Sequence, residues 1–232
     1  MELITKKDRY GLPVDTVICK KCGLIMTNPC LTQDSLNEFY DNEYRPLYVE
    51  DSSDDEFFNN EYKKGQVIYE YLKSQLDFDK ISNVLEIGTG MGGILKAVED
   101  NENVSVLGID LGSDYIEKGK KRGVNLRQGN AGSLESEYLN KFDLIIVCHV
   151  LEHFLDIESE LKSISKLLSP GGYLYVEVPG VKDIPYSYRD FMGFLQNAHI
   201  RHFTLDTLSQ LMKWNGYSLF TGDEKIRSIY RY

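Results

Sequence analysis

The chain has 232 residues, of which 42% are hydrophobic and 27% charged, and its formal net charge is −10. This length predicts one α/β domain of ordinary size with a small appendage and enough apolar material for a core. An acidic chain repels polyanions, which argues against nucleic acid as a partner. The sequence shows no apolar run of ~18 residues and no secretory signal peptide, so we expect a cytoplasmic protein without a membrane span.

Residues 1–56 are predicted to form an N-terminal lid or substrate segment. Asp15–Ile18 has the pattern of a short strand, and Cys19-Lys-Lys-Cys22-Gly23 follows it. A Cys-x-x-Cys-Gly knuckle is half of a tetrahedral zinc site. Cys30 would supply a third ligand, but no residue supplies an obvious fourth. We therefore expect no bound metal, and two free thiols in a turn.

Predicted helices and strands alternate along the rest of the chain. Helices are predicted at 32–44, 57–78, Ile94–Asp100, Ser113–Arg122, Ser133–Leu139, after Asp156 and at Leu205–Asn215, and strands at Val84–Ile87, Val104–Leu111, Val124–Gln128, Phe142–Val150, Tyr173–Val178, Tyr217–Thr221 and Ile226–Tyr230. Such alternation builds a parallel sheet with helices on both faces, and the last two strands favour an antiparallel hairpin. Residues 179–203 break the rhythm, so we predict an inserted substrate loop within a cofactor-binding domain at 57–232.

A glycine-dense turn, Gly88-Thr89-Gly90-Met-Gly92-Gly93, follows the first strand of this domain. Glycines let the backbone turn sharply and approach a ligand, and the next helix points free N–H groups at that ligand. The pattern fits dinucleotide-binding folds and also S-adenosylmethionine (SAM) enzymes. Asp110, at the end of the second strand, would accept ribose hydroxyls in either case.

Glu86 discriminates between these cofactors, because it lies two positions before the first glycine. A carboxylate beside a pyrophosphate would repel it by roughly 1–4 kcal/mol per charge pair at 4 Å. The same carboxylate beside the ammonium and sulfonium of SAM is favourable. The pattern therefore favours SAM, with a dehydrogenase as the remaining option and a solvated or helix-capping carboxylate as the alternative for Glu86.

Five segments resemble, in order and spacing, the class I SAM-dependent methyltransferases. They are Glu86–Gly93, Gly108–Asp110, Gly129–Ala131, Phe142–His153 and Leu168–Gly172. The resemblance implies a Rossmann-like, seven-stranded, mostly parallel sheet whose last strand is antiparallel, with helices on both faces. It also implies a set of SAM-binding residues, namely Glu86, Gly88, Thr89, Gly90, Gly92, Asp110, Leu111, Asn130, Ala131, Cys148 and His149.

A narrower resemblance covers the remaining segments. Cys19–Pro29, Phe39-Tyr40-x3-Tyr44 and His199-x-x-His202-Phe-Thr204 are similar to the branch of nucleotide-sugar C-methyltransferases and polysaccharide-cluster enzymes. That branch usually binds one zinc between two Cys-x-x-Cys knuckles, and the first would lie upstream of Met1. Zinc is therefore expected only in a longer chain.

All four histidines lie after the fourth or fifth predicted strand, where parallel sheets bind ligands. The sugar C-methyltransferases carry a Glu-His pair where this chain has Ala198 and His199. The lost glutamate leaves a lone histidine, better matched to deprotonating a hydroxyl than to forming an enolate. We predict His199 as the base. The other candidates are His149 and Tyr44 for catalysis, Tyr40, Arg189 and His202 for substrate contacts, and His153 with Glu152 for orienting the next helix.

The sequence thus predicts a SAM-dependent methyltransferase that acts on a nucleotide sugar or polysaccharide precursor, at oxygen rather than at carbon. One alternative is a methyltransferase for another small metabolite, such as a quinone-like or aromatic ring. Another is a non-catalytic SAM-binding module. A monomer or homodimer is expected.

Overall fold

The computed structural model describes residues 1–42 and 53–232 as strands, helices and connecting turns. The strands are β1 (Glu2–Lys7), β2 (Pro13–Ile18), β3 (Ile25–Thr27), β4 (Asn83–Ile87), β5 (Ser105–Asp110), β6 (Leu126–Gln128), β7 (Phe142–Cys148), β8 (Leu168–Glu177), β9 (Arg201–His202), β10 (Ser218–Gly222) and β11 (Arg227–Arg231). The α-helices are α1 (Gln33–Asn42), α2 (Asp54–Gln75), α3 (Gly93–Asn101), α4 (Ser113–Lys121), α5 (Ala131–Tyr138), α6 (Ile157–Leu167), α7 (Ile184–Ser187), α8 (Phe191–Phe194) and α9 (Leu205–Trp214). Short 3-10 helices occupy Phe78–Lys80, Leu151–His153 and Val181–Asp183.

The larger sheet has seven strands in the order β10-β11-β8-β7-β4-β5-β6. The five strands from β8 to β6 are mutually parallel, and β11 is antiparallel to both β8 and β10. Alternate residues of β4 face opposite cores: Leu85 packs on one side of the sheet and Val84 on the other. This confirms the Rossmann-like, mostly parallel sheet with an antiparallel last strand, covered by helices on both faces.

A second, antiparallel sheet joins the two parts of the chain that were predicted to contact the substrate. Its strand order is β1-β2-β3-β9, so the N-terminal segment pairs with the inserted segment 179–203. The register places Ile25 opposite His202 and Met26 opposite Arg201. The sequence predicted one N-terminal strand and an irregular insertion. The structure corrects both, since a strand as short as β9 shows no readable alternation.

The ends of several elements differ from the prediction. Helix α2 begins at Asp54 instead of residue 57, because the Ser53 hydroxyl accepts a hydrogen bond from the Glu56 amide at 3.2 Å. Strand β8 begins at Leu168 instead of Tyr173, with a register shift against β7. The end of the predicted helix 32–44 lies outside the described residues.

Among the described helices, none is both long enough and apolar enough to cross a membrane.

Candidate active site

The glycine turn between β4 and α3 requires glycine at specific points. Gly88 has φ +72°, and a Cβ there would lie 2.2 Å from Val150 Cγ2. Gly90 has φ +55°, but a Cβ there would meet only the Phe57 ring, at 3.7 Å. The Gly88 amide donates to the Ile109 carbonyl at 2.8 Å, which fixes the turn against β5. The turn is thus tightly packed at Gly88 and more open at Gly90, as a ligand cradle requires.

The Asp110 carboxylate ties this turn to the end of β5. Its Oδ2 accepts a hydrogen bond from the Gly90 amide at 2.9 Å, and its Oδ1 accepts one from the Gly112 amide at 2.8 Å. A carboxylate has about four acceptor positions, so capacity for two ribose hydroxyls remains. Leu111, the next residue, is 73% exposed, which suits an apolar contact with an adenine ring.

The segment of the predicted SAM-binding residues Asn130 and Ala131 lies beside Asp110, because the Gly129 amide donates to the Asp110 carbonyl at 2.9 Å. Asn130 Oδ1 accepts from the Ser133 amide at 3.0 Å and caps α5, which explains why this helix starts at Ala131 and not at Ser133. The Ala131 side chain is fully buried. A ligand at this position would therefore contact the Ala131 backbone and the exposed Asn130, and not the Ala131 side chain.

Glu86 is buried at the end of β4, with 2% of its surface exposed. Its Oε2 accepts a hydrogen bond from the Thr89 hydroxyl at 2.6 Å. Burial raises the pKa of this carboxyl to about 8, although the Thr89 hydrogen bond opposes the shift. Glu86 is therefore not a solvated carboxylate. A cation that comes close to this buried carboxyl group stabilises its ionised form.

Lys64 of α2 points into the same region, although the sequence did not suggest it. Burial lowers the pKa of Lys64, but Cys148, Glu61 and Glu177 outweigh this effect and raise it overall. Lys64 also interacts electrostatically with Glu86. One ammonium thus faces three carboxyl groups, so the region suits a cationic ligand. The sequence analysis also missed Glu177. Its place at the carboxyl end of the predicted fifth strand could have identified it as a candidate site residue.

A buried carboxylate, Glu152, lies at the centre of a group of histidines. It is 1% exposed, and its Oε1 is 3.6 Å from His149 Nδ1, 3.8 Å from His153 Nε2 and 3.7 Å from His199 Nε2. These separations exceed hydrogen-bond distances. Within the described part of the chain, neither carboxylate oxygen of Glu152 has a hydrogen-bond partner. We call Glu152, His149, His153 and His199 the Glu152 cluster.

Two backbone hydrogen bonds and one side-chain contact bring this cluster together from distant parts of the sequence. The Ile200 amide donates to the Glu152 carbonyl at 3.0 Å, and His153 Nδ1 lies 3.0 Å from the Ala198 carbonyl. The Thr27 amide of β3 donates to the Ile200 carbonyl at 3.0 Å. The segment around His199 is therefore held between the Leu151–His153 turn and the N-terminal sheet.

The histidines of the cluster differ in protonation. Burial lowers the pKa of His149, but the Glu152 and Glu177 carboxylates outweigh it and raise that pKa to about 9. Burial holds the pKa of His199 well below its ordinary value, against the opposing charge of Glu152. At neutral pH His149 is thus cationic and His199 neutral. A cationic imidazole cannot accept a proton, which argues against the predicted role of His149 as a second base.

The prediction that His199 is a lone histidine is wrong, because Glu152 lies beside it. This carboxylate comes from the turn after β7 and not from the position before His199, which is Ala198. His202 is 3% exposed and packs on the Phe194 ring at 5.1 Å between centroids, while Arg189 is exposed. Tyr44 and the Tyr40 side chain lie outside the described residues. The roles predicted for these four residues stay predictions.

A family model described as a methyltransferase domain matches residues 56–221. The chain belongs to this methyltransferase family. The match begins just after the start of α2 and ends in β10, so it contains the glycine turn, Asp110 and the Glu152 cluster. The cofactor of this methyltransferase is SAM.

Several known proteins share part of this sequence or its fold. The ubiquinone biosynthesis O-methyltransferase of Nitrosospira multiformis is 32% identical over 101 residues, which cover 40% of this chain and 41% of that enzyme. The chain thus spans less than half the length of the curated relatives it matches. A SAM-dependent methyltransferase from Archaeoglobus fulgidus superposes with a TM-score of 0.54 at 18% identity, covering 71% of this chain and 75% of that chain. The mitomycin 7-O-methyltransferase MmcR superposes at 0.56 and 17% identity, covering 85% and 66%.

The residues of the methyltransferase fit SAM on three observations. The turn is open at Gly90, Asp110 retains acceptor capacity, and Glu86 is a buried carboxyl group with a second one, Glu61, near it. SAM supplies an electrophilic methyl group on a cationic sulfur. Asp110 would hold its ribose, and Glu86 would lie on the side of its positive charges.

Proposed function

We propose that this methyltransferase transfers the methyl group of SAM to a hydroxyl oxygen of a small molecule. The observation that carries the proposal is the 3.7 Å approach of the neutral His199 imidazole to the buried Glu152 carboxylate. Both residues follow strands whose carboxyl ends lie on the cofactor side of the sheet. An imidazole and a carboxylate so placed can remove a hydroxyl proton and stabilise the cation that results.

The chain's own residues have three tasks in this reaction. Glu86 and Asp110 orient the methyl donor, and the oxygen–methyl bond forms as the sulfur–methyl bond breaks. His199 accepts the proton that leaves the hydroxyl. The Glu152 carboxylate offsets part of the cost of forming an imidazolium in a buried position.

We infer that a ring hydroxyl of quinone-like or phenolic type is the first acceptor class to test. Burial makes His199 a weak base, and a phenol, with a pKa near that of tyrosine at about 10, releases its proton more readily than an aliphatic hydroxyl. The curated relatives named above support this choice, since they are O-methyltransferases of ubiquinone biosynthesis. The region that these enzymes share with this chain is short, so they support only an oxygen acceptor on a quinone-like ring.

A sugar hydroxyl is the second acceptor class. The observation that favours it is the pairing of β3 with β9, which joins the Cys19–Pro29 segment to His199 and His202. That segment carries the resemblance to the sugar branch. The Cys19–Pro29 segment would shape the acceptor pocket through its pairing with β9 in this sheet.

The test incubates the purified chain with SAM that carries a deuterated methyl group and with two acceptor sets, hydroxylated quinone precursors and nucleotide sugars. Mass spectrometry should show the labelled methyl group on a phenolic oxygen, and His199→Ala should lose that product. A labelled sugar methyl ether would move the acceptor to the second class. Labelling on carbon or nitrogen would contradict the proposal.

A further inference from the structure

One histidine of the Glu152 cluster lies between two carboxylates. His149 Nδ1 is 3.6 Å from Glu152 Oε1, and His149 Nε2 is 3.4 Å from Glu177 Oε1. The other oxygen of Glu177, Oε2, accepts a hydrogen bond from the Tyr175 hydroxyl. An imidazole with a carboxylate beside each ring nitrogen is stabilised in its cationic form, which carries a proton on both nitrogens.

The other two imidazoles of the cluster each have a neutral partner at a ring nitrogen. His153 Nδ1 lies 3.0 Å from the Ala198 carbonyl oxygen, and the Gln196 side-chain nitrogen lies 3.0 Å from His199 Nδ1. The side chains of His153 and His199 are also more deeply buried than that of His149, which is 38% exposed. Because burial disfavours the charged form of an imidazole, both differences favour a proton on His149.

The backbone of His149 supports a specific role for its side chain. Its φ of +54° lies in the left-handed region, which costs free energy for a residue other than glycine. The His149 amide donates to the Glu177 carbonyl at 2.8 Å, so this strained residue is anchored to the strand that carries the second carboxylate. A glycine would adopt this backbone without that cost, which identifies the imidazole as the group that the position requires.

The Glu152 carboxylate needs a positive charge beside it, because it is 1% exposed and a buried anion without a counter-ion is costly. A proton on His199 would supply that charge, but a protonated imidazole cannot act as a base. A proton on His149 supplies the charge and leaves His199 available. Burial lowers the pKa of His199 most, and the charge of His149 lowers it further, whereas Glu152 opposes both.

We propose that the His149 imidazolium, shared between Glu152 and Glu177, is the counter-ion that keeps the His199 base free of a proton. His149 is a positioning residue in this role, because it acts on the reaction only through Glu152 and His199. The role deepens the proposed function and rests on it, since the protonation of His199 matters to catalysis only if His199 is the base.

Charged groups from four parts of the chain face His149. Among the described residues they are Glu152 and His153 of the turn after β7, Glu177 of β8, His199 of the inserted segment and Lys64 of α2, with the thiol of the adjacent Cys148. Lys64 and burial lower the pKa of His149, and the two carboxylates outweigh them. Removing either carboxylate should therefore let His149 lose its proton at a lower pH.

The test follows histidine protonation by NMR of protein labelled with ¹⁵N in its imidazole rings, without SAM or acceptor, so that it can fail independently of the proposed function. His149→Asn and His199→Ala assign the two rings by loss of signal. Asparagine tolerates the left-handed backbone better than most residues, so His149→Asn removes the charge with little added strain. In the parent, His149 should be protonated on both nitrogens at pH 7 and titrate near pH 9, and His199 should titrate well below its ordinary range.

Three variants test the charge balance. In His149→Asn the titration midpoint of His199 should rise by about one pH unit or more, a tenfold change in its protonation equilibrium. His149→Lys returns a positive charge and should bring that midpoint back toward the parent value. Glu177→Gln should lower the midpoint of His149, and this titration decides the matter if His149→Asn does not fold.

Three NMR results would overturn the proposal. They are a parent His149 that titrates near its ordinary value of 6.5, a His199 midpoint that is equal in the parent and His149→Asn, and a His149 midpoint that Glu177→Gln leaves unchanged. With the acceptor found in the labelling test, the acid limb of the kcat profile should move to higher pH in His149→Asn while the plateau is kept. A purely structural role would lower the plateau instead. If no hydroxyl product forms in the labelling test, the NMR titrations still decide which histidine carries the charge.

Discussion

Glu152 Oε1 and His199 Nε2 lie 3.7 Å apart, although one residue follows β7 and the other precedes β9. As a base, His199 needs this carboxylate to stabilise the imidazolium that forms. His199→Ala should therefore reduce kcat by about 10²–10⁴, the range associated with loss of proton transfer. The measurement is initial rate with saturating SAM and the acceptor found in the labelling test.

Two controls accompany that variant. Lys213→Ala replaces an exposed lysine at the end of α9 and should leave kcat unchanged. S-adenosylhomocysteine should bind His199→Ala as it binds the parent, because His199 contacts none of the groups that fix the glycine turn. If His199→Ala kept the kcat of the parent, His199 would have no role in the reaction.

Asp110→Asn should weaken cofactor binding sharply. The substitution removes a charge and leaves one oxygen to accept from both the Gly90 and Gly112 amides. A hydrogen bond to a charged group contributes about 1.5–3 kcal/mol, which corresponds to roughly tenfold to 100-fold in the Kd for S-adenosylhomocysteine. Isothermal titration measures this, with the exposed Asp114→Asn as the matched control. Equal affinities in the two variants would end the ribose assignment.

Gly88→Ala should destabilise the fold more than Gly123→Ala does. Both glycines have similar backbone strain for an L residue, with φ +72° and φ +79°. A Cβ at Gly88 also lies 2.2 Å from Val150 Cγ2, whereas one at Gly123 meets nothing within 4 Å. We expect a loss of about 1 kcal/mol for Gly123→Ala and at least twice that for Gly88→Ala in urea unfolding.

A double variant separates the collision from the backbone strain. Adding Val150→Ala removes the side-chain atoms that the new Cβ would strike, so part of the Gly88→Ala loss should be recovered. Strictly additive losses would show that the collision is absent.

Glu86 should make stability fall with pH. Its pKa is about 8 in the folded chain and 4.5 ordinarily, so the folded chain holds a proton that the unfolded chain releases between these values. The free energy of unfolding therefore decreases as pH rises from about 4.5 to about 8. Glu86→Gln should flatten this dependence in urea unfolding at pH 5 and pH 8, and a parallel curve for the two chains would contradict the shift.

The same carboxyl should release its proton when SAM binds. Two positive charges near Glu86 favour its ionised form, so binding at pH 7 should release up to one proton. Calorimetry in two buffers of different ionisation enthalpy counts that proton, and Glu86→Gln should release none. Proton release that is equal in the parent and the variant would place the cation elsewhere.

The glycine turn and the place of Asp110 at the end of a strand could be predicted from the sequence. Gly88, Gly90 and Asp110 are local signals, since each depends on backbone geometry or on the end of one strand, and the strands between Val84 and Val178 are apolar enough to show in the pattern. The seven-stranded, mostly parallel sheet with an antiparallel last strand followed from the family resemblance, whereas the order of its strands came from the structure.

The acceptor half depends on contacts that the sequence does not show. Strand β9 is two residues long, and tertiary contacts such as the hydrogen bond from the Ile200 amide to the Glu152 carbonyl bring His199 to Glu152. Lys64 lies on helix α2, and the spacing of residues in that helix does not distinguish it from the other lysines there. Such contacts are fixed by tertiary packing, so residue spacing could not predict them.

The most direct test of the central claim is the fate of a ¹³C-labelled methyl group of SAM, followed by NMR. The purified chain is incubated with the two acceptor sets and, in parallel, with His199→Ala as the control. We predict a new methoxy resonance on a small molecule that is absent with His199→Ala. A label that enters a C-methyl or N-methyl group, or a methoxy product that forms equally with His199→Ala, would contradict hydroxyl methylation at this site.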